Sequence, residues 1–121
     1  MLKDHFYTVT ALSHQDNTIQ AVLQLNSKHE IFAGHFPGQP VVPGACMLQM
    51  VKEILGEAKC SAYKLKKGDN LKFIAPIDPL MTPEVELKLT YKTMDAGLQV
   101  TAMLSANEVI CFKFQGIFIT T

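Results

Sequence analysis

The sequence predicts an α+β fold in which one buried helix packs on a strongly bent antiparallel sheet. Two patterns carry this expectation. The second half of the chain alternates apolar and polar residues at period two over several consecutive stretches. A single stretch, about 44–58, has helical spacing and is apolar around most of its circumference, so something must wrap it, and the sheet is the large partner available. At 121 residues and 13.4 kDa the chain fits one domain, 1–121, with a core of its own.

The first clear strand is 18–25, where Ile19, Ala21, Leu23 and Leu25 share one face. Asp16-Asn17 before it marks a turn, and 5–12 is its expected antiparallel partner. Pro43-Gly44 opens the helix and Gly56 weakens its end. Met47, Met50, Val51, Ile54 and Ala58 form its apolar stripe, which Leu48 and Leu55 widen. In 84–92, Val85, Leu87, Leu89 and Tyr91 point inward. Asp95-Ala96-Gly97 supplies a hairpin turn, and 98–105 continues with Leu98, Val100, Ala102 and Leu104 on one face. Ala106-Asn107 turns again. Residues 108–119 are apolar on both faces, as in a central or interface strand.

Composition excludes several functions. Lysines supply all 11 basic residues, balanced by 11 acids, and there is no Arg. A neutral chain without Arg is a poor nucleic-acid binder. No run of 18 apolar residues exists, which excludes a membrane-spanning helix. Met1-Leu2-Lys3-Asp4-His5 is too polar for a signal peptide. Cys46, Cys60 and Cys111 are odd in number and widely spaced, and read as buried free thiols of a cytoplasmic protein. His5, His14 and His29 lack ligand spacing and read as surface or turn residues. Neither a metal cluster nor a phosphate-binding Gly-rich loop is present, so no cofactor is expected. Residues 59–75 carry Lys59, Lys64, Lys66, Lys67 and Lys72 against Asp69. They are either a sheet edge guarded by charge or a docking patch for an acidic partner.

The informative segment is Gly34-His35-Phe36-Pro37-Gly38-Gln39-Pro40-Val41-Val42-Pro43-Gly44, which holds three of the six prolines and three of the seven glycines. Proline fixes the backbone and glycine admits close approach, so the loop is stiff and runs directly onto the amino end of the helix. The first N–H groups there lack intrahelical partners and carry partial positive charge. A His on such a loop can form a site for a carbonyl oxygen, or the loop can be a connector with a satisfied His.

The run His35-Phe36-Pro37-Gly38-x-Pro40-x-x-Pro43-Gly44 before a helix resembles the signature of the β-hydroxyacyl-acyl-carrier-protein dehydratases of fatty-acid synthesis, which are hotdog-fold proteins. Leu71-Lys72-Phe73-Ile74-Ala75-Pro76-Ile77-Asp78-Pro79 is similar to the family's later strand and turn, although Asp78-Pro79-Leu80 departs from its Pro-Gly-Asp ending. The resemblance implies a sheet wrapped around a long central helix, paired as a homodimer or larger assembly or with a different hotdog subunit. It implies an acyl thioester as substrate and acyl carrier protein as partner. His35 would take the α-proton, and the Gly44 N–H would polarise the thioester carbonyl. Phe36, Gly38, Val42, Pro43 and Phe73 would line the acyl site.

The family's helix acid falls at position 49, where this chain has Gln49, and the usual Glu-x-x-x-Gln order is reversed as Gln49-Met50-Val51-Lys52-Glu53. An amide donates no titratable proton, and a positioned acid is worth about 10²–10⁴-fold. Three readings stand. Gln49 orients the hydroxyl by hydrogen bonding; or Glu53, at i+4 on the same face, supplies the acid; or both belong to an ordinary polar stripe with Lys52, Gly56 and Glu57. Hydrolysis of an acyl thioester on the same fold, with Glu53 and Gln49, is the rival enzymatic reading. A non-catalytic acyl-binding or partner subunit is the third.

Overall fold

The computed structural model describes residues 2–34 and 40–121. Its elements are β1 (Tyr7–Gln15), β2 (Thr18–Leu25), α1 (Glu30–Gly34), α2 (Gly44–Lys59), β3 (Tyr63–Phe73), β4 (Glu84–Met94), β5 (Gly97–Ala106) and β6 (Val109–Thr120). The six strands form one sheet in the order β1-β2-β4-β5-β6-β3, with every neighbouring pair antiparallel. This is the hotdog fold: an open six-stranded sheet wrapped around one substantial helix.

The alternating residues behave as their spacing requires. Ile19, Ala21, Leu23 and Leu25 are buried, as are the inward sets of β4 and β5. They meet Met47, Met50, Val51, Ile54 and Leu55 of α2, of which all but Met47 are wholly enclosed. The β1–β2 turn puts both Asp16 and Asn17 at positive φ, a geometry these side chains tolerate and one that matches strand twist.

Four details depart from the sequence expectations. The partner of β2 extends to Gln15, beyond position 12. Helix α2 continues through Lys59, past Gly56. Gly56 instead makes room for the returning chain, since a Cβ there would sit 2.7 Å from the Ser61 carbonyl oxygen. Cys60 is exposed, because it caps α2 in the left-handed conformation, whereas Cys46 and Cys111 are buried. Helix α1 has no counterpart among the expected elements.

In β6 the register shifts opposite Leu104 and Ser105, leaving Cys111 as an extra residue. Cys111 and Phe112 therefore both point inward, which explains part of this strand's two-sided apolar character. The Cys111 carbonyl accepts from Ile74 and Ala75 N–H, at 2.8 and 3.3 Å, and so sets the path of the chain leaving β3. Strand β3 is a sheet edge, and its Lys64, Lys66, Lys67 and Lys72 are exposed. Lys67 pairs with Asp69 at 3.3 Å, and Lys59 lies over the Tyr91 ring, 4.7 Å from its centroid. No helix among the described residues is long and apolar enough to cross a membrane.

Candidate functional site

Two segments converge at the amino end of α2. Val42 N–H donates to the Ile77 carbonyl at 2.9 Å, which ties the stretch before the helix to the chain following β3. Between them lies a cleft of about 420 Å³ lined by Val42, Pro43, Gly44, Met47, Phe73 and their neighbours. Phe73 stacks on Phe112, with centroids 5.0 Å apart, yet keeps 55% of its surface exposed. Pro43 starts the helix without a side-chain cap, and its carbonyl already serves Cys46 and Met47 N–H. Among the described residues, Gly44 and Ala45 N–H have no acceptor. The cleft thus offers apolar walls beside electropositive N–H groups, a fitting seat for an acyl chain with a polarised carbonyl.

Gly44 lets the Phe73 ring close over the start of the helix. A Cβ on it would come within 2.7 Å of the Phe73 ring. Gly44→Ala is expected to push that half-exposed ring aside at small cost in stability, and to weaken acyl binding several-fold. Calorimetric titration alongside thermal melting checks both halves of this expectation.

Gln49 and Glu53 lie elsewhere on α2. They line a second cleft, of about 540 Å³, with Lys52, Gly56, Tyr63 and others, and no residue lines both. Five residues along a helix separate Gly44 from Gln49, or about 140° of rotation and about 7.5 Å of rise. One chain therefore does not bring the two groups of site residues together. His35, Phe36 and Gly38 lie outside the described residues.

Glu53 is the notable side chain. It is 7% exposed, and each carboxylate oxygen receives two hydrogen bonds. Leu2 N–H and Gln49 Nε2 donate to Oε2, at 2.9 and 2.7 Å. Lys3 N–H and Tyr7 OH donate to Oε1, at 2.9 and 3.0 Å. Four donors saturate a carboxylate. Burial works to raise the Glu53 pKa, but the hydrogen bonds from Leu2, Gln49, Tyr7 and Lys3 outweigh it and hold the pKa below the ordinary value. Burial, then the Glu53 charge, pushes the Tyr7 hydroxyl well above its ordinary value. Lys3 also pairs with Glu57 at 3.4 Å, so the N-terminal turn is clamped onto α2. A depressed, fully engaged carboxylate is poorly suited to giving up a proton as a general acid.

The linkage has a definite sign. Glu53 contributes its stability fully above the ordinary Glu pKa of about 4.3, and loses it as pH falls through the lower folded value. Glu53→Gln is expected to be less stable than wild type at neutral pH, with the difference shrinking in acid. Denaturant melts at a series of pH values test this.

Sequence reasoning missed Leu2, Lys3 and Tyr7, whose partner lies 46 to 51 positions away. One signal was available, since Glu53 sits only about 60° from Met50 around the helix, at the margin of the apolar stripe. Burial, then the nearby Glu53 charge, raises the Cys46 thiol pKa, consistent with a buried packing residue and not a nucleophile. His14 lies in β1 and bonds the Tyr91 hydroxyl at 2.7 Å.

A family model described as ApeI-like, ApeI dehydratase, matches residues 11–113. The chain belongs to the ApeI-like dehydratase family. It is 33% identical over 103 residues to the 3-hydroxyacyl-(acyl-carrier-protein) dehydratase FabZ of Shewanella woodyi, a match covering 78% of this chain and 68% of that protein. It is 32% identical over 60 residues to FabZ of Haemophilus influenzae, covering 50% of this chain but only 40% of the relative. Among solved structures, the dehydratase heterocomplex ApeI:P from Xenorhabdus doucetiae superposes with a TM-score of 0.77 at 17% identity, covering 93% of this chain and 97% of that one. A hypothetical thioesterase from Streptococcus pneumoniae TIGR4, solved with coenzyme A, gives a TM-score of 0.67 at 8% identity, covering 98% and 91%. The same fold is thus shared with solved proteins that carry dehydratase and thioesterase names.

Proposed function

We propose that this ApeI-like chain dehydrates a 3-hydroxyacyl thioester to the trans-2-enoyl thioester, working as one subunit of a hotdog dimer. The observation that carries this reading is the apolar cleft at the amino end of α2. A thioester carbonyl seated there meets the Gly44 N–H while its acyl chain runs along Val42, Met47 and Phe73. Polarising the carbonyl acidifies the α-carbon, and His35 takes that proton, with Phe36 and Gly38 on the same loop completing the acyl site. The Cα–H electron pair becomes the new double bond as the Cβ–O bond breaks. The oxygen leaves as water once protonated, and the imidazolium formed at His35 is the titratable donor in this set. Gln49 holds the departing hydroxyl, and Glu53 holds Gln49.

The separate clefts support assembly of each site across two hotdog chains, one presenting Gly44 and the other Gln49. The second chain is another copy or a different subunit, the latter supported by the ApeI:P heterocomplex. The FabZ names support acyl carrier protein as the thiol carrier, and the exposed Lys64, Lys66 and Lys67 of the β3 edge are its docking face. Three unpaired thiols support a reducing, cytoplasmic setting. The saturated Glu53 also favours a second reading, a partner subunit without activity of its own.

The test supplies 3-hydroxyacyl thioesters on carrier protein and on coenzyme A, and follows both products by mass spectrometry. Enoyl thioester that forms with wild type and not with His35→Ala supports dehydration. Free acid at a matching rate would make the chain a thioesterase, and neither product would leave it a partner subunit.

A further inference from the structure

The three other donors on Glu53 keep it an acceptor and so set which way the Gln49 amide faces. A carboxylate accepts and never donates, so the amide must direct its NH₂ group at Oε2, as the 2.7 Å contact shows. Each carboxylate oxygen also receives a backbone N–H, from Leu2 on Oε2 and from Lys3 on Oε1, and these donors favour the ionised, accepting form. The amide oxygen is thereby turned away from Glu53, and among the described residues it has no hydrogen-bond partner. Gln49 is only part-buried and lines the open cleft on the outer face of α2.

Resting on the proposed dehydration of 3-hydroxyacyl thioesters, we propose that Glu53 is a positioning residue that holds the Gln49 Oε1 as a fixed acceptor for the substrate's 3-hydroxyl. The pair then selects 3-hydroxyacyl groups over acyl groups lacking the hydroxyl. The N-terminal turn belongs to the same device, because Leu2 N–H shares Oε2 with Gln49 and pins the carboxylate in place. Tyr7 is a built-in control, since it bonds Oε1 and not the oxygen that Gln49 uses.

Binding reads the selection without turnover. The probes are 2,2-difluoro-3-hydroxyoctanoyl pantetheine amide, which has no α-proton to lose and no thioester to cleave, and its 3-deoxy counterpart. Wild type is expected to bind the hydroxylated probe about 3- to 10-fold more tightly, the worth of one hydrogen bond. Gln49→Leu and Glu53→Gln are both expected to bring the ratio close to one, with affinity for the deoxy probe kept. Tyr7→Phe is expected to lose stability and keep the ratio, a split that general loosening of the fold would not produce. Should Glu53→Gln fail to fold, Glu53→Asp draws the charge back from Gln49 and is expected to lower the ratio in the same way. A wild-type ratio of one with both probes bound overturns this inference and leaves the acyl site standing. A full ratio in the Glu53 variants overturns the positioning role. Binding of neither probe overturns the acyl-thioester reading itself.

Discussion

Exchanging the two polar residues of α2, as Gln49→Glu with Glu53→Gln, is expected to raise the dehydration rate by about 10²–10⁴-fold. In the proposed mechanism the exchange puts a titratable proton where the departing hydroxyl would meet the helix, and it removes the buried charge 2.7 Å from Gln49. Gln49→Glu alone should gain less. Two carboxylates so close share a proton, and the shared proton is engaged between them instead of facing substrate. The pH profile supplies a second readout. The wild-type rate should rise with one ionisation, that of His35, and level off, whereas the exchanged pair should add a falling limb at higher pH as the new acid loses its proton. The amide that Glu53→Gln introduces can set its NH₂ group against Leu2 N–H, donor against donor, so some stability is lost and folding must be confirmed beside the rate. A folded double variant with an unchanged rate would show that the missing acid does not limit the reaction.

The second large effect is expected at His35. Replacing it with Ala should lower the rate by about 10²–10⁴-fold, with KM little changed. In the proposed mechanism its role is proton transfer, whereas binding would rest on the apolar cleft and the helix N–H groups. Steady-state kinetics separate the two. A variant that lost binding in proportion to rate would assign His35 to shaping the loop.

The sheet and helix were legible because their alternation is strict. Val85, Leu87, Leu89 and Tyr91 follow period two without a break, and all four are buried. The helix read equally well from Met47 to Leu55, because its buried apolar side chains recur at helical spacing, although Gln49 and Lys52 between them face an open cleft. Cys111 and Phe112 escaped that logic, since a bulge adds a residue and puts two successive side chains on one face. Pro43-Gly44 was legible as the start of a helix, and an apolar cleft lies there. Glu53 was not. Its four donors come from the first seven residues and from within its own helix, and no local pattern announces that the turn at Leu2 and Lys3 folds back onto position 53. The i+4 relation to Gln49 was readable, but its meaning depends on those distant partners.

The most direct test is a crystal structure of the assembled protein with a saturated acyl pantetheine amide bound. The expected result places the carbonyl oxygen within hydrogen-bond distance of the Gly44 N–H, the acyl chain against Val42, Met47 and Phe73, and the His35 imidazole facing the α-carbon. An acyl chain seated elsewhere, with His35 turned into bulk water, would contradict it.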